Sequence, residues 1–246
     1  MNDHELARRL AEAAGTRLLA VREEFAGAST RDRKDAGDRR AQEFLAAELA
    51  RYRPADAILS EEAEDDTGRL DAERVWIVDP LDGTREFAEP GRADWAVHVA
   101  LWERGELTAG AVALPAQDVT FATPDVSLAT NGGAGPAPRL IVSRSRPPAV
   151  AEEVGRRLGG QLVPLGSAGA KAMALIQGRA DIYLHAGGQY EWDSAAPVAV
   201  ARAAGLHASR IDGSPLTYNR PDPLLPDLLI CHPRYAEAVL AITTSF

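Results

Sequence analysis

Two aspartates three positions apart, Asp79 and Asp82, stand where the apolar run Val75-Trp76-Ile77-Val78 meets Pro80, Gly83 and Thr84. A strand that ends in two carboxylates across a proline-initiated turn can aim both inward. Paired hard oxygen ligands of that kind suit Mg²⁺, which prefers carboxylates completed by substrate phosphate. Gly83 lets the backbone approach a phosphoryl group closely, and Thr84 opens a helix whose free N–H groups favour an anion. Taken alone, the same residues also read as a strand, a proline turn and an aspartate cap.

A second acidic pair, Glu61-Glu62, follows the strand-like Ala57-Ile58-Leu59, and a third cluster, Glu191-Trp192-Asp193, opens the last long helix of an α/β stretch. Three element ends that each deliver a carboxylate form the set a multi-metal phosphatase needs, because cations a few ångströms apart can hold the attacking water, a phosphate oxygen and the leaving oxygen together. Each cluster has an ordinary alternative. Glu61 and Glu62 run on into Glu64, Asp65 and Asp66 as a solvated turn would, and Asp193 could simply cap its helix. An aspartyl-phosphate mechanism is disfavoured. Haloacid-dehalogenase-type phosphatases carry Asp-x-Asp-Gly-Thr with the first Asp as nucleophile, whereas here the spacing is Asp-x-x-Asp and Pro80 occupies the nucleophile's place. A metal-activated water is the better nucleophile for this pattern.

The elements that must position these groups follow from periodicity. Leu6, Leu10, Ala13, Ala14, Leu18 and Val21 recur at helical spacing, as do Ala41, Phe44, Leu45 and Leu49. The polar stretch from Ala28 to Arg40 reads as a mobile loop running into the second helix, placed to act as a lid. Arg74 to Val78 has the continuous apolar character of a buried strand. Trp95 to Trp102, Thr108 to Leu114 and Val119 to Thr123 form a meander broken at Arg104-Gly105 and Pro115. Asn131 to Pro138 is the best linker, which divides the chain into an α+β part, 1–134, and an α/β part, 135–246. In the second part strands and helices alternate: Leu140 to Ser143, Ala149 to Leu158, Gln161 to Leu165, Ala168 to Gln177, Asp181 to Leu184 and Ser194 to Ala204.

With 246 residues, 46% of them hydrophobic, the chain can bury a substantial core. A formal charge of −9 argues against nucleic-acid binding, which needs excess Lys and Arg to displace counterions. An acidic protein can still take an anionic substrate where metals invert the local field. The single Cys231 excludes an internal disulfide and fits the cytoplasm. No stretch approaches the roughly 20 apolar residues of a membrane span. His98, flanked by apolar neighbours in Trp95 to Leu101, reads as a satisfied strand histidine rather than a ligand. Trp76 and Trp192 read as aromatic anchors beside the acidic motifs.

Trp76-Ile77-Val78-Asp79-Pro80-Leu81-Asp82-Gly83-Thr84-Arg85-Glu86-Phe87 resembles the first signature of the inositol monophosphatase superfamily of lithium-sensitive, Mg²⁺-dependent phosphatases. Glu191-Trp192-Asp193-Ser194-Ala195-Ala196-Pro197 resembles its second. Ser60-Glu61-Glu62, Ser143-Arg144-Ser145, Gly166 to Lys171 and Asp212 to Tyr218 are similar to the CysQ-type branch, the 3′(2′),5′-bisphosphate nucleotidases. The resemblance implies a layered αβαβα sandwich of the inositol monophosphatase and fructose-1,6-bisphosphatase type. It implies one Mg²⁺ on Glu61, Asp79 and the Leu81 carbonyl, a second on Asp79, Asp82 and Asp193, and a third, looser ion beside Glu61. Glu61 and Thr84 would orient the water, with Asp38 bonded to Thr84. Leu81, Asp82, Gly83 and Thr84 would cradle the transferred phosphate, and Asp193, Ser143, Arg144, Ser167 and Lys171 would complete the substrate site. Arg146 stands where relatives often carry histidine.

The implied reaction is hydrolysis of the 3′-phosphate of adenosine 3′,5′-bisphosphate to AMP and phosphate, which removes a by-product of sulfate assimilation, with the related sulfated nucleotide as a further substrate, by a monomer or homodimer. Two alternatives stay open. One is inositol monophosphatase or fructose-1,6-bisphosphatase activity on the same metal frame. The other is a non-catalytic anion-binding protein, whose mark would be the loss of a metal carboxylate; none is missing here.

Overall fold

The computed structural model describes residues 1–129 and 137–246. Two helices come first, α1 (Asp3–Glu24) and α2 (Thr30–Tyr52). A five-stranded sheet follows in the order β1 (Ala57–Ser60), β2 (Arg74–Asp82), β3 (Ala96–Glu103), β4 (Glu106–Leu114), β5 (Val119–Ala122), with the short α3 (Thr84–Ala88) between β2 and β3. Only β1 and β2 pair in parallel; the rest is the antiparallel meander that the alternating apolar runs and the Arg104-Gly105 and Pro115 breaks predict.

The second sheet is built from β6 (Arg139–Ser143), β7 (Gln161–Leu165), β8 (Ile182–Tyr190), β9 (His207–Ser209) and β10 (Leu224–Cys231), in the order β7-β6-β8-β10-β9. Its helices are α4 (Ala149–Leu158), α5 (Ala168–Ile176), α6 (Glu191–Ala203) and α7 (Pro233–Thr243). The expected junction near 134 and most of the linker from Asn131 lie outside the described residues. Every strand of the first sheet precedes it and every strand of the second follows it.

Three apolar clusters separate five layers. Leu6, Leu10, Leu18 and Leu45 pack on one face of the first sheet through Trp76, Val78, Val97 and Val99. The other face, through Val75, Ile77 and Ala100, shares a cluster with Met173, Leu175, Val198 and Val200 of α5 and α6 and with Tyr183, Leu228 and Ile230 of the second sheet. Leu140, Val142, Leu184 and Leu229 face outward against Val150, Val154 and Val239 of α4 and α7. The strand period of two sends alternate residues of β2 and β10 to opposite layers, so both faces of both sheets are buried. The result is the expected αβαβα sandwich.

The expected loop from Ala28 to Arg40 is helix instead. Ser29 caps α2 by accepting from the Asp32 N–H at 3.1 Å, and the helix runs unbroken from Thr30. Its polarity misleads because the buried stripe there is made of small residues, Ala36 and Gly37, whose size allows close approach rather than a large apolar face. An added Cβ on Gly37 would meet Phe87 at 2.8 Å and Leu81 at 2.9 Å. Arg33, buried, donates to the carbonyls of Phe25, Ala26 and Ala88 and fastens the helix start to α3.

Candidate active site

The two motifs meet because the first sheet ends where α5 and α6 begin. β2 breaks its register with β3 between Asp79 and Asp82, which turns the chain so that both aspartates point into the middle layer. Gly83 then adopts φ +82, and the nearest groups to a Cβ there would be the Ser167 side chain at 2.9 Å and the Asp94 carbonyl at 3.3 Å. Glycine is needed both for the left-handed backbone and for the space. Asp193 is held by the start of α6, where its Oδ2 accepts from the Tyr190 N–H at 2.7 Å. Glu191, two residues before it, accepts from the Asn219 and Arg220 N–H groups at 2.7 and 2.9 Å.

Asp79, Asp82 and Asp193 each offer an oxygen within 4.8 Å of the others. Glu61, carried past the end of β1, shares a hydrogen bond with Asp79. The separate acidic clusters of the sequence therefore converge. Their electrostatics register the crowding. Burial pushes Asp79 well above the ordinary aspartate range, and the charges of Glu61, Asp82 and Asp193 push the same way. Asp193 rises to about 7, through burial first and the Asp82 charge second. Although Glu61 keeps an exposed flank, its carboxyl end is buried among acids and rises to about 7, opposed by its bond to Asp79 and assisted by Asp82, Glu62 and Asp38. Asp38 also reaches about 7, by burial and the neighbouring Glu62 and Asp35 charges.

Asp82 is the exception. Burial would raise it, yet the His98 and Lys171 charges and the Ser167 hydroxyl hold it far below the usual range. Its Oδ2 accepts from the Ser167 hydroxyl and from the Gly169 N–H at 2.7 Å, and its Oδ1 from the Ala168 N–H at 3.0 Å. This carboxylate caps α5 and so ties the first motif to the second half of the chain. Oδ1 keeps a lone pair for a cation.

Asp79 and Asp193, both raised, crowd the low-lying carboxylate of Asp82, and three oxygen donors within 4.8 Å fit a hard divalent cation. Mg²⁺ belongs to that class. Leu81 sits within the motif with its N–H donated to Asp79 Oδ1 at 3.0 Å. The Thr84 hydroxyl donates to the Leu81 carbonyl at 3.2 Å. No Asp38–Thr84 bond forms among the described residues, although α2 does bring Asp38 beside Glu61 and Glu62.

A cavity of about 460 Å³ opens beside the acids and includes Glu61, Gly83, Thr84, Ser143, Ser167 and Lys171 in its lining. Three of the expected nucleotide contacts, Arg144, Lys171 and Ser167, are already engaged within the protein. Arg144 donates to Glu86 at 2.7 Å and to Glu89 at 2.9 and 3.1 Å. Lys171 is buried, donates to the Ser167 carbonyl at 2.5 Å and lies 5.4 Å from the Tyr183 ring centroid. Ser167, at φ +53, spends its hydroxyl on Asp82.

His98 is the residue whose place sequence reasoning understated. Its Nδ1 donates to the Trp192 carbonyl at 3.0 Å, and its Nε2 lies 3.1 Å from Asp82 Oδ2, at a poor angle for a hydrogen bond. The Asp79–His98 pairing of β2 and β3 is the signal that would have found it, but it requires the strand register.

Residues 3–244 match the inositol monophosphatase family. The chain belongs to that family. Among curated relatives, a "3'-phosphoadenosine 5'-phosphate phosphatase" of Mycobacterium tuberculosis (strain CDC 1551 / Oshkosh) is 54% identical over 238 residues, covering 92% of this chain and 88% of the relative. A protein of the same name from Mycobacterium leprae is 50% identical, covering 98% and 93%. A solved inositol-monophosphatase-family structure, the Thermotoga maritima IMPase, superposes with a TM-score of 0.77 over 100% of this chain and 98% of that one at 19% identity, which speaks to fold alone.

Proposed function

We propose that this inositol monophosphatase family member is a Mg²⁺-dependent phosphatase that hydrolyses the 3′-phosphate of adenosine 3′,5′-bisphosphate, giving AMP and phosphate. The sulfated analogue is a second candidate substrate. The observation that carries the reading is the convergence of Glu61, Asp79, Asp82 and Asp193 beside a cavity rich in cations, in a chain 50–54% identical to relatives named as phosphatases of that nucleotide.

Glu61, Asp79, Asp82, Asp193 and the Leu81 carbonyl would hold the metal ions. Bound there, divalent cations supply charge neutralisation on the phosphoryl oxygens and a more acidic water. The protein's own groups do the rest. Glu61 and Thr84 orient the water on one side of phosphorus. The backbone from Asp82 to Thr84, which Gly83 lets approach closely, receives the phosphate oxygens. Asp38 stands beside Glu61 on the water's side. Ser143, Arg144, Ser167 and Lys171 shape the wall against which the nucleotide lies, and Arg144, Ser167 and Lys171 do so while bonded to the protein. A covalent phosphoenzyme is not required. A role in the cytoplasm and in sulfate assimilation, as a monomer or homodimer, is part of the same proposal. Among the described residues no helix is long and apolar enough to cross a membrane.

A phosphate-release panel tests the reading: adenosine 3′,5′-bisphosphate, its sulfated analogue, inositol 1-phosphate and fructose 1,6-bisphosphate, each with Mg²⁺ and again with added Li⁺. The bisphosphate is expected to turn over fastest and to be inhibited by Li⁺. Equal or faster release from inositol phosphate or fructose bisphosphate overturns the nucleotide assignment. No release from any of them, together with retained anion binding, favours the non-catalytic alternative.

A further inference from the structure

Asp79, Asp82 and Asp193, the three acids whose oxygens converge, arrive from the two halves of the chain, and one imidazole stands behind all of them. That ring belongs to His98 on β3, directly opposite Asp79 in the strand register. It is fully buried. Its Nδ1 donates at 3.0 Å to the carbonyl of Trp192, one residue before Asp193, and lies 3.9 Å from Asp79 Oδ2. Its Nε2 lies 3.1 Å from Asp82 Oδ2 and has no hydrogen-bond partner among the described residues. A polar atom left unpaired in the interior is costly, so its position calls for a reason beyond packing.

α5 holds the ring in that place from a third side. An added Cβ on Gly169, in the first turn of α5, would meet His98 Nε2 at 2.2 Å, so the lack of a side chain there lets the helix close onto the imidazole. The same turn supplies the Gly169 N–H that Asp82 Oδ2 accepts at 2.7 Å. Asp82 Oδ2 is thus enclosed by the Ser167 hydroxyl, the Gly169 N–H and the His98 ring, which fixes the rotation of the carboxylate and with it the lone pair that Oδ1 keeps free. Through Nδ1 the ring is also tied to the start of α6, and α6 carries Asp193. A rigid planar group bonded at one end and wedged at the other is a strut. It transmits the position of one acidic motif to the other.

We propose that His98 is a positioning residue that sets the separation between the Asp79/Asp82 pair and Asp193, and so sets the affinity of the divalent-cation site the three acids share. The proposal rests on the metal-dependent reading above, and goes beyond it by naming a residue that holds the ligands without being one. Mg²⁺ accepts little departure from octahedral oxygen geometry, so ligands from separate elements need a support that fixes them relative to one another. Groups that orient metal ligands from behind change metal affinity by about 10- to 100-fold when replaced. The His98 ring is fully buried behind the acids, so its loss should act on the cation and leave nucleotide binding alone.

The test measures Mn²⁺ and Mg²⁺ binding to the substrate-free protein by calorimetry, beside thermal unfolding in chelator. His98→Leu, which keeps the bulk and removes both nitrogens, should weaken cation binding about 10- to 100-fold. His98→Asn can place an amide N–H on the Trp192 carbonyl, and His98→Gln can reach Asp82 with its own; each should recover part of the loss. Gly169→Ala, which forces the ring off Asp82, should weaken binding in the wild-type background and add little to His98→Asn, which has no atom at the Nε2 position. In turnover, His98→Leu should need more Mg²⁺ for half-maximal rate and regain kcat as Mg²⁺ is raised, with KM for the nucleotide unchanged. Wild-type cation affinity in folded His98→Leu, whatever its Tm, overturns the strut, and so does a Gly169→Ala effect of equal size in both backgrounds. If His98→Leu does not fold, wild-type affinity in His98→Asn, His98→Gln and Gly169→Ala together overturns it instead. A wild-type protein that binds no divalent cation overturns the metal reading itself, and that failure is distinct because it shows before any substitution is made.

Discussion

Replacing Asp79 and Asp82 each by asparagine should abolish turnover in both cases yet move the stability of the metal-free protein in opposite directions. At Asp79 the carboxyl is fully buried, held well above its ordinary pKa and bonded to Glu61, with Oδ1 accepting from the Leu81 N–H. An asparagine can keep its oxygen on Leu81 and offer its NH₂ to Glu61, replacing a contact that now needs a shared proton. At Asp82 the same change fails. Oδ1 faces one N–H donor, and Oδ2 faces the Ser167 hydroxyl and the Gly169 N–H. An amide satisfies one side only and opposes the other with its own donors.

Hydrogen bonds to a charged acceptor contribute about 1.5–3 kcal/mol each, so losing one or two at Asp82 costs about 2–4 kcal/mol after relief of repulsion from Asp79 and Asp193. For a chain of this size 1 kcal/mol corresponds to about 2–4 °C, which puts the fall in Tm at roughly 4–16 °C. Asp79→Asn removes a mutually repelling acid and should gain about 1–2 kcal/mol, or roughly 2–8 °C. Thermal unfolding followed by circular dichroism at pH 8 in chelator reads both. Adding Mg²⁺ should raise wild-type Tm and leave Asp79→Asn nearly unmoved, reversing their order. Equal Tm values for wild type and Asp82→Asn in chelator would refute the capping role. A destabilised Asp79→Asn would refute the crowding argument.

Other consequences follow from the same geometry. Glu61 and Asp193 have folded pKa values raised to about 7, above their unfolded values, so they favour the fold while protonated; that stability is lost as pH rises through about 7. Asp82 runs the opposite way, its contribution being present above the unfolded pKa and lost in acid. The chelated protein should therefore have its highest Tm at mildly acid pH and soften towards pH 8, with Mg²⁺ flattening that decline; a chelated Tm that climbs steadily from pH 5 to 8 is the contrary result. Gly83→Ala should cost about 1–3 kcal/mol for left-handed backbone and the Ser167 contact, and lower kcat about 100-fold or more by displacing the phosphate cradle; normal kcat would show that the approach at Gly83 is not used. Gly37→Val, which presses on Phe87 and Leu81, should destabilise by about 1–3 kcal/mol and raise KM for a bisphosphate, because α2 carries Lys34. An unchanged KM would separate α2 from substrate binding.

How much of this was legible in the sequence depends on the range of the interaction that decides each feature. The β3–β4–β5 meander was, since alternation and turn residues are local, and so was the start of α6 at Glu191. The motif Asp79 to Thr84 announced itself because two carboxylates, a proline and a glycine at that spacing are costly unless they serve a site. α2 was misread between Thr30 and Arg40, where burial is achieved by Ala36 and Gly37 and no large apolar residue marks the face. That error mattered for function. Read as a loop, the segment suggests a lid; as a helix, it presents Lys34 and Asp38 on consecutive turns at the edge of the same mouth, the one a free cation and the other a member of the acidic group.

The roles of Arg144, Ser167 and His98 were beyond sequence reach for a different reason. A cation's availability depends on whether some distant residue has already taken it, and Glu86 and Glu89 lie 58 and 55 positions from Arg144. The same holds for the Asp82 carboxylate, whose donors lie 85 to 87 positions away on α5. A motif names the residues that can do the chemistry, while long-range pairing decides which of them are free to meet a ligand. In this chain the pairing leaves the metal-type acids clustered and binds the inner cations to the scaffold.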